Sequence, residues 1–208
     1  MQMDQKYRIT AGLIGAIGMA ALAAQLGLRL GRGQGLLTSL WGMTGFFTIL
    51  TNMLMAATML GIAATGRRPS FGWMSMLTMS MIMVALVYHG LLAGLVAFTG
   101  LRWWVDQALH SILPALMLWF WLMETTRQDP REGRPLTWLV WPLLYALYAM
   151  IRGALTGRYP YPFLNIDQLG IGAVTLNMAG LLAAFLALAL VLNGLGKHLP
   201  LRDQCASR

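Results

Sequence analysis

The chemistry in this chain begins with one short stretch, DQALHSILP at 106–114, set in an otherwise apolar run. A spacing of four residues stacks Asp106, His110 and Pro114 on one face of a helix. A carboxylate one turn from an imidazole reaches a ring nitrogen, fixes the tautomer and raises basicity, which is what an acid does behind a catalytic histidine. Pro114 deprives the His110 carbonyl of its helical donor and predicts a kink there. A second stretch, FFTILTN at 46–52, carries hydroxyls. Thr44, Thr48, Thr51 and Asn52 follow the three- and four-residue spacing of one helix face. A base with an acid partner, and a hydroxyl to act on, read as nucleophilic catalysis. In that chemistry His110 takes the proton of Thr48 and later returns it to a leaving alcohol. Asn52 and Asn177 are candidate donors to the developing oxyanion.

These residues must be held by elements that suit oil. Of 208 residues, 58% are hydrophobic and 11% charged, against about 25% charged in a soluble domain. The composition predicts an all-α integral membrane protein. Six stretches reach the length of roughly 20 apolar residues that a spanning helix needs: 9–28, 38–64, 73–99, 103–123, 135–154 and 168–195. Their connections, GRGQG, TGRRPS and RQDPREGRP among them, are too short for a further domain. The chain is thus expected to be a single six-helix transmembrane bundle over 1–208. The first stretch also has the look of a secretory leader, with Lys6, Arg8 and Ala-x-Ala at 21–23. Its apolar run continues to Leu30, and a retained helix is the expectation.

Charge orients the bundle. Lys6, Arg8, Arg67, Arg68, Arg127, Arg131, Arg134, Lys197, Arg202 and Arg208 fall on one side, and Arg29, Arg32, Arg102, Arg152 and Arg158 on the other. The excess predicts both termini in the cytoplasm. It also explains the net charge of +8 by topology and lipid headgroups, with no nucleic-acid partner. Cys205, the single cysteine, forms no internal disulfide.

Depth then gathers the polar groups. At 1.5 Å per residue, His110 lies about 10 Å and Thr48 about 15 Å below the outer ends of their spans. His89 and Asn177 fall at similar depth, so four spans place a polar group in one outer layer. Polar groups at such depth usually face the bundle interior. Each has a plainer reading: threonines bond back to their own helix, asparagines join helices, and the 16 methionines pack. Trp103, Trp104, Trp138 and Trp141, near span ends, read as interfacial anchors.

Two other classes compete. His89 and His110 suit a haem- or metal-binding pair, and with Asp106 they make the minimum three ligands of a zinc hydrolase. A lipid or small-molecule transporter is the third, but the chain shows neither repeated halves nor matched broken helices.

The stretches FFTILTN, DQALHSILP and GRYPYPFLNI (157–166), in this order across six spans, resemble the androgen-induced and androgen-dependent TFPI-regulating membrane protein family, including its bacterial branch. The resemblance covers essentially the whole chain. It implies a six-span hydrolase of fatty acid esters of hydroxy fatty acids; the wider expectation is a hydrolase of these or related acyl esters that requires no cofactor. The resemblance places the nucleophilic threonine at Thr48 and the histidine at His110, in a His-x-x-x-Pro pattern completed by Pro114. Its Tyr-Pro-Phe-Leu motif falls on Tyr161, Pro162, Phe163 and Leu164, as an outer lid or a helix-starting turn. Where eukaryotic members carry Asn and a second His, this chain has Asp106 and Gln107, a stronger acid–base pair, so an identical substrate does not carry over. The expectation is an intramembrane lipid-ester hydrolase of a bacterial inner membrane. Thr48, His110 and Asp106 are expected to be catalytic, with Asn52, His89, Asn177, Tyr161 and Arg152 lining the substrate.

Overall fold

The structure is a computed structural model and describes residues 2–95, 97–124 and 134–198. Arg127, Arg131, Arg202, Arg208 and Cys205 lie outside the described residues. The elements are α1 (Gln2–Leu30), α2 (Leu36–Thr44), α3 (Phe47–Thr65), α4 (Phe71–Val87), α5 (Gly100–Gln107), α6 (Leu113–Glu124), α7 (Pro135–Trp138), α8 (Val140–Thr156) and α9 (Ile166–His198). A π-helical turn at Tyr88–Leu92 continues α4, and a second at Ala108–Ile112 joins α5 to α6. No strand occurs among the described residues. Six helical stretches are long and apolar enough to cross a membrane.

Three expectations about the spans change. The stretch 38–64 is two helices: α2 ends at Thr44, and the chain bends through Gly45 and Phe46 before α3 begins. Thr44 therefore leaves the face of Thr48, Thr51 and Asn52, and its hydroxyl donates to the Trp41 carbonyl at 3.1 Å. The stretch 73–99 stops being helical at Leu92, after the π turn. The stretch 135–154 breaks at Leu139, because Pro142 has no N–H for a carbonyl one turn back. Further along, α9 bends at Gly170, whose φ of 75° suits glycine.

The core has two parts. Gly12, Gly15 and Gly18 of α1 lie directly on α3, where an added Cβ would meet Ala63, Leu60 and Ala56 at 2.9–3.3 Å. Such small residues let helix backbones approach where hydrophobicity alone cannot drive association. Arg8 fastens the same pair, donating to the Ala63 and Ala64 carbonyls at 2.9 and 3.1 Å and capping the negative end of α3. The second part is aromatic and methionine-rich: Phe71, Trp121, Phe120, Met74, Met79, Met81 and Met117 are fully buried. Trp138 joins them at 2% exposure, and Trp141 donates to the Thr51 hydroxyl at 3.0 Å. These two tryptophans are interior packing, not interfacial anchors. Being near a span end in sequence puts a ring at the interface only if its helix starts there, and α7 tucks inward. Trp103 and Trp104 are exposed.

Gly196 touches Phe71 so closely that a Cβ would sit 2.5 Å from the ring, and Trp121 and Trp138 pen that ring in at 6.0 Å. Gly196→Ala is expected to cost about 1–3 kcal/mol by overpacking, read as a lowered midpoint of thermal unfolding in detergent. Gly194→Ala, with open space at its Cβ, should leave the midpoint unchanged.

Candidate functional site

Pro114 shapes the first half of the site. In the second π turn the Leu113 amide donates to the Ala108 carbonyl, five residues back. One residue further on, the five-back donor to Leu109 would be Pro114, which has no N–H. The Leu109 carbonyl is thus left over, and the Asn52 side chain of α3 supplies its donor at 3.3 Å. The same Nδ2 donates to the Thr48 carbonyl at 2.8 Å. Asn52 is fully buried, and its Oδ1 has no hydrogen-bond partner. The expected kink at Pro114 is therefore a π turn, a form often found at functional sites.

His110 sits in that turn. Its Nδ1 lies 3.2 Å from Asp106 Oδ1 and 2.9 Å from the Asp106 carbonyl oxygen. Acceptors on both contacts place the proton on Nδ1 and leave Nε2 as the basic nitrogen. Tyr88, at the start of the other π turn, stacks on the imidazole with centroids 4.1 Å apart and planes at 17°. Its hydroxyl donates to Asp106 Oδ2. The side chains of His110 and Asp106 are 16% and 12% exposed, so the pair is held in little water.

His89 does not face inward. It is exposed, and its Nε2 lies 2.9 Å from the Ser111 hydroxyl, which donates to Gln107 Oε1 at 2.8 Å. Because Ser111 gives its one hydrogen to Gln107, His89 is the donor in that pair. The chain His89–Ser111–Gln107 pins the two π turns together and does not activate the serine. Among the described residues no group of three or more His, Cys, Asp and Glu is placed to hold a metal ion.

The second half surrounds Thr48. Thr48 is in the first turn of α3, 7% exposed, on the wall of a cavity of about 400 Å³. The cavity lies between α3, α4, α8 and α9. Met83, Val87, Leu143, Met178 and Phe185 supply its apolar surface, and Thr48, Tyr145, Tyr161 and Thr175 its hydroxyls. Its volume is in the range of small-molecule sites. Two tyrosines organise the broken backbone beside Thr48. Tyr145 donates to the Gly45 carbonyl at 2.9 Å, and the Phe47 amide donates to Tyr161 Oη at 3.1 Å. Burial pushes the Tyr161 phenol above its usual range, against the opposing pull of the Thr48 side chain and of the Thr48 and Phe47 backbones. Tyr161 therefore keeps its proton at neutral pH and remains a donor.

Asn52 joins the Thr48 carbonyl to the carbonyl of Leu109, the residue before His110. No hydrogen bond joins Thr48 to His110 among the described residues, and His110 does not line the cavity. Asn177 donates to the Phe163 carbonyl at 2.9 Å, tying the short 3₁₀ turn Pro162–Leu164 to α9. It is a brace and not a cavity donor. Arg152 is likewise structural: it stacks on Trp41 at 4.0 Å, donates to the Trp41 carbonyl, and takes the Tyr148 hydroxyl as acceptor at 2.8 Å. Sequence reasoning missed Tyr88 and Tyr145. Tyr145, Tyr148 and Arg152 do stand at helical spacing, a signal that was available.

Compared with protein-family models, curated proteins and solved structures, the chain matches none.

Asn52→Leu is expected to strand the Leu109 carbonyl and cost about 1–3 kcal/mol, measured by thermal or denaturant unfolding in detergent. Adding Pro114→Ala supplies a backbone N–H, so the double variant should recover part of that loss. Strict additivity of the two substitutions would contradict this account of the tie.

Proposed function

We propose that this chain is a membrane-embedded hydrolase of lipid acyl esters, with Thr48 as nucleophile and His110, oriented by Asp106, as general base and acid. One observation carries the reading: the buried Thr48 side chain borders a mainly apolar cavity of about 400 Å³ at the first turn of a helix. An acyl chain suits the cavity's apolar wall. The positive end of the α3 dipole favours the charge that appears on the ester oxygen.

The reaction runs in two halves. Thr48 Oγ attacks the ester carbonyl carbon as His110 Nε2 takes its proton. The tetrahedral intermediate collapses, and the leaving alcohol departs with that proton. Water then attacks the acyl-threonine, gives a proton to His110, and releases the fatty acid with Thr48 restored. Asp106 and the Tyr88 stack hold the ring in one tautomer throughout. Asn52, tied to the Thr48 and Leu109 carbonyls, sets the register between the helices that carry the two groups. The resemblance of FFTILTN, DQALHSILP and GRYPYPFLNI to the TFPI-regulating membrane protein family supports the same assignment. The reading includes insertion in a bacterial inner membrane with both termini cytoplasmic.

The purified protein in detergent is expected to hydrolyse long-chain fluorogenic acyl esters. Thr48→Ala should abolish turnover, and His110→Ala should lower it by about 10²–10⁴-fold, with both variants folded by circular dichroism and unchanged in size by gel filtration. A folded wild type that turns over no ester across chain lengths, or a Thr48→Ala variant as active as wild type, would sink the reading. For orientation, a membrane-impermeant maleimide should label Cys205 in inside-out vesicles and not in intact spheroplasts.

A further inference from the structure

We infer that the Tyr161 hydroxyl is a catalytic group of this site, the hydrogen-bond donor to the oxyanion formed when Thr48 attacks its ester. The inference rests on the proposed function and adds a reacting-centre contact to it.

The argument is a count of hydrogens at the break before α3. A phenol has one hydrogen and two lone pairs. Tyr145 spends its hydrogen on the Gly45 carbonyl, at 2.9 Å. Tyr161 spends a lone pair on the Phe47 amide, at 3.1 Å, and its hydrogen is left to the hydroxyls beside it, those of Thr48 and Tyr145, at the cavity wall. The Tyr161 hydroxyl lies against the Thr48 side chain and backbone and lines the same cavity. A carbonyl oxygen is one bond from the carbon that Thr48 Oγ attacks, so a donor beside Oγ is within reach of it. Amide donation into the phenol oxygen also polarises the O–H and strengthens the bond it gives. The ring cannot turn the hydroxyl away. Tyr161 is 8% exposed, with Phe163 stacked at 5.1 Å and Phe46 edge-on at 5.8 Å. Burial keeps the phenol protonated, so it acts as a donor without transferring its proton.

The hydrogen bond strengthens as the carbonyl becomes an oxyanion, so its loss should appear in kcat more than in KM. Tyr161→Phe keeps the ring and removes the hydroxyl. The expected result is a fall in kcat of about 10²–10³-fold, with KM within a few-fold of wild type. Two ligands separate this from a structural defect. A long-chain alkyl trifluoromethyl ketone, which forms an oxyanion adduct with a hydroxyl nucleophile, should bind Tyr161→Phe more weakly by a similar factor. A dialkyl ether of matched length, with no oxyanion, should bind wild type and variant alike. Equal weakening of both ligands, or wild-type kcat in Tyr161→Phe, would overturn the assignment. If Thr48→Ala retains full turnover, the proposed function falls and Tyr161 with it. If Thr48→Ala is inactive while Tyr161→Phe is not, only the role of Tyr161 falls.

Discussion

The arrangement depends on a missing N–H at Pro114. In an apolar surrounding each backbone carbonyl must find a donor inside the protein. A proline one turn past His110 removes one donor, and the helix answers by widening into a π turn. That widening leaves the Leu109 carbonyl to be met from outside, and Asn52 of α3 meets it. One hydrogen-bond deficit thereby fixes the distance and register between the helix bearing Thr48 and the helix bearing His110. The facing π turn at Tyr88–Leu92 belongs to the same adjustment, since it delivers Tyr88 onto the imidazole and onto Asp106.

The bend at Gly45–Phe46 follows the same logic with different donors. Breaking a helix among apolar side chains exposes a carbonyl at Gly45 and an amide at Phe47. Tyr145 and Tyr161, more than 90 residues away in sequence, take one each. Arg152 covers the Trp41 carbonyl just before the bend. Two of the groups that repair the backbone, Tyr145 and Tyr161, also bring their hydroxyls to the cavity. Irregular backbone and polar side chains therefore coincide: each is admissible in such a place only because of the other.

This also marks what could be read from residues alone. Six helices long and apolar enough to span a membrane were legible, because twenty apolar residues leave few alternatives. The pair Asp106–His110 was legible because its spacing is local. The bend inside 38–64 was not, since both sides of it are apolar and a window average cannot see one left-out residue. The π turns were not, because an extra residue in a turn leaves composition unchanged. For the first reason, spacing alone assigns Thr44 to a face it does not occupy. Depth alone assigns His89 to the interior, and depth says nothing of azimuth. Tyr145 and Tyr161 act on residues 45 and 47 through contacts between remote parts of the chain, which no periodicity encodes. Trp138 and Trp141 show a general preference for interfaces yielding to a local demand for packing.

The glycine-lined seam between α1 and α3, locked by Arg8, has a consequence for assembly order. Domains form from the N-terminus during synthesis, and the partners along this seam are all complete by residue 66. The contacts that seat the helix carrying Thr48 on its neighbour therefore need none of the chain beyond residue 66. Asn52 then waits with an idle amide until the Leu109 carbonyl arrives, and the bend at Gly45–Phe46 waits for α8 and Tyr161. The cavity acquires its last wall only when α9 docks. An unfinished chain would hold Thr48 with neither the helix of His110 nor the walls of the cavity in place.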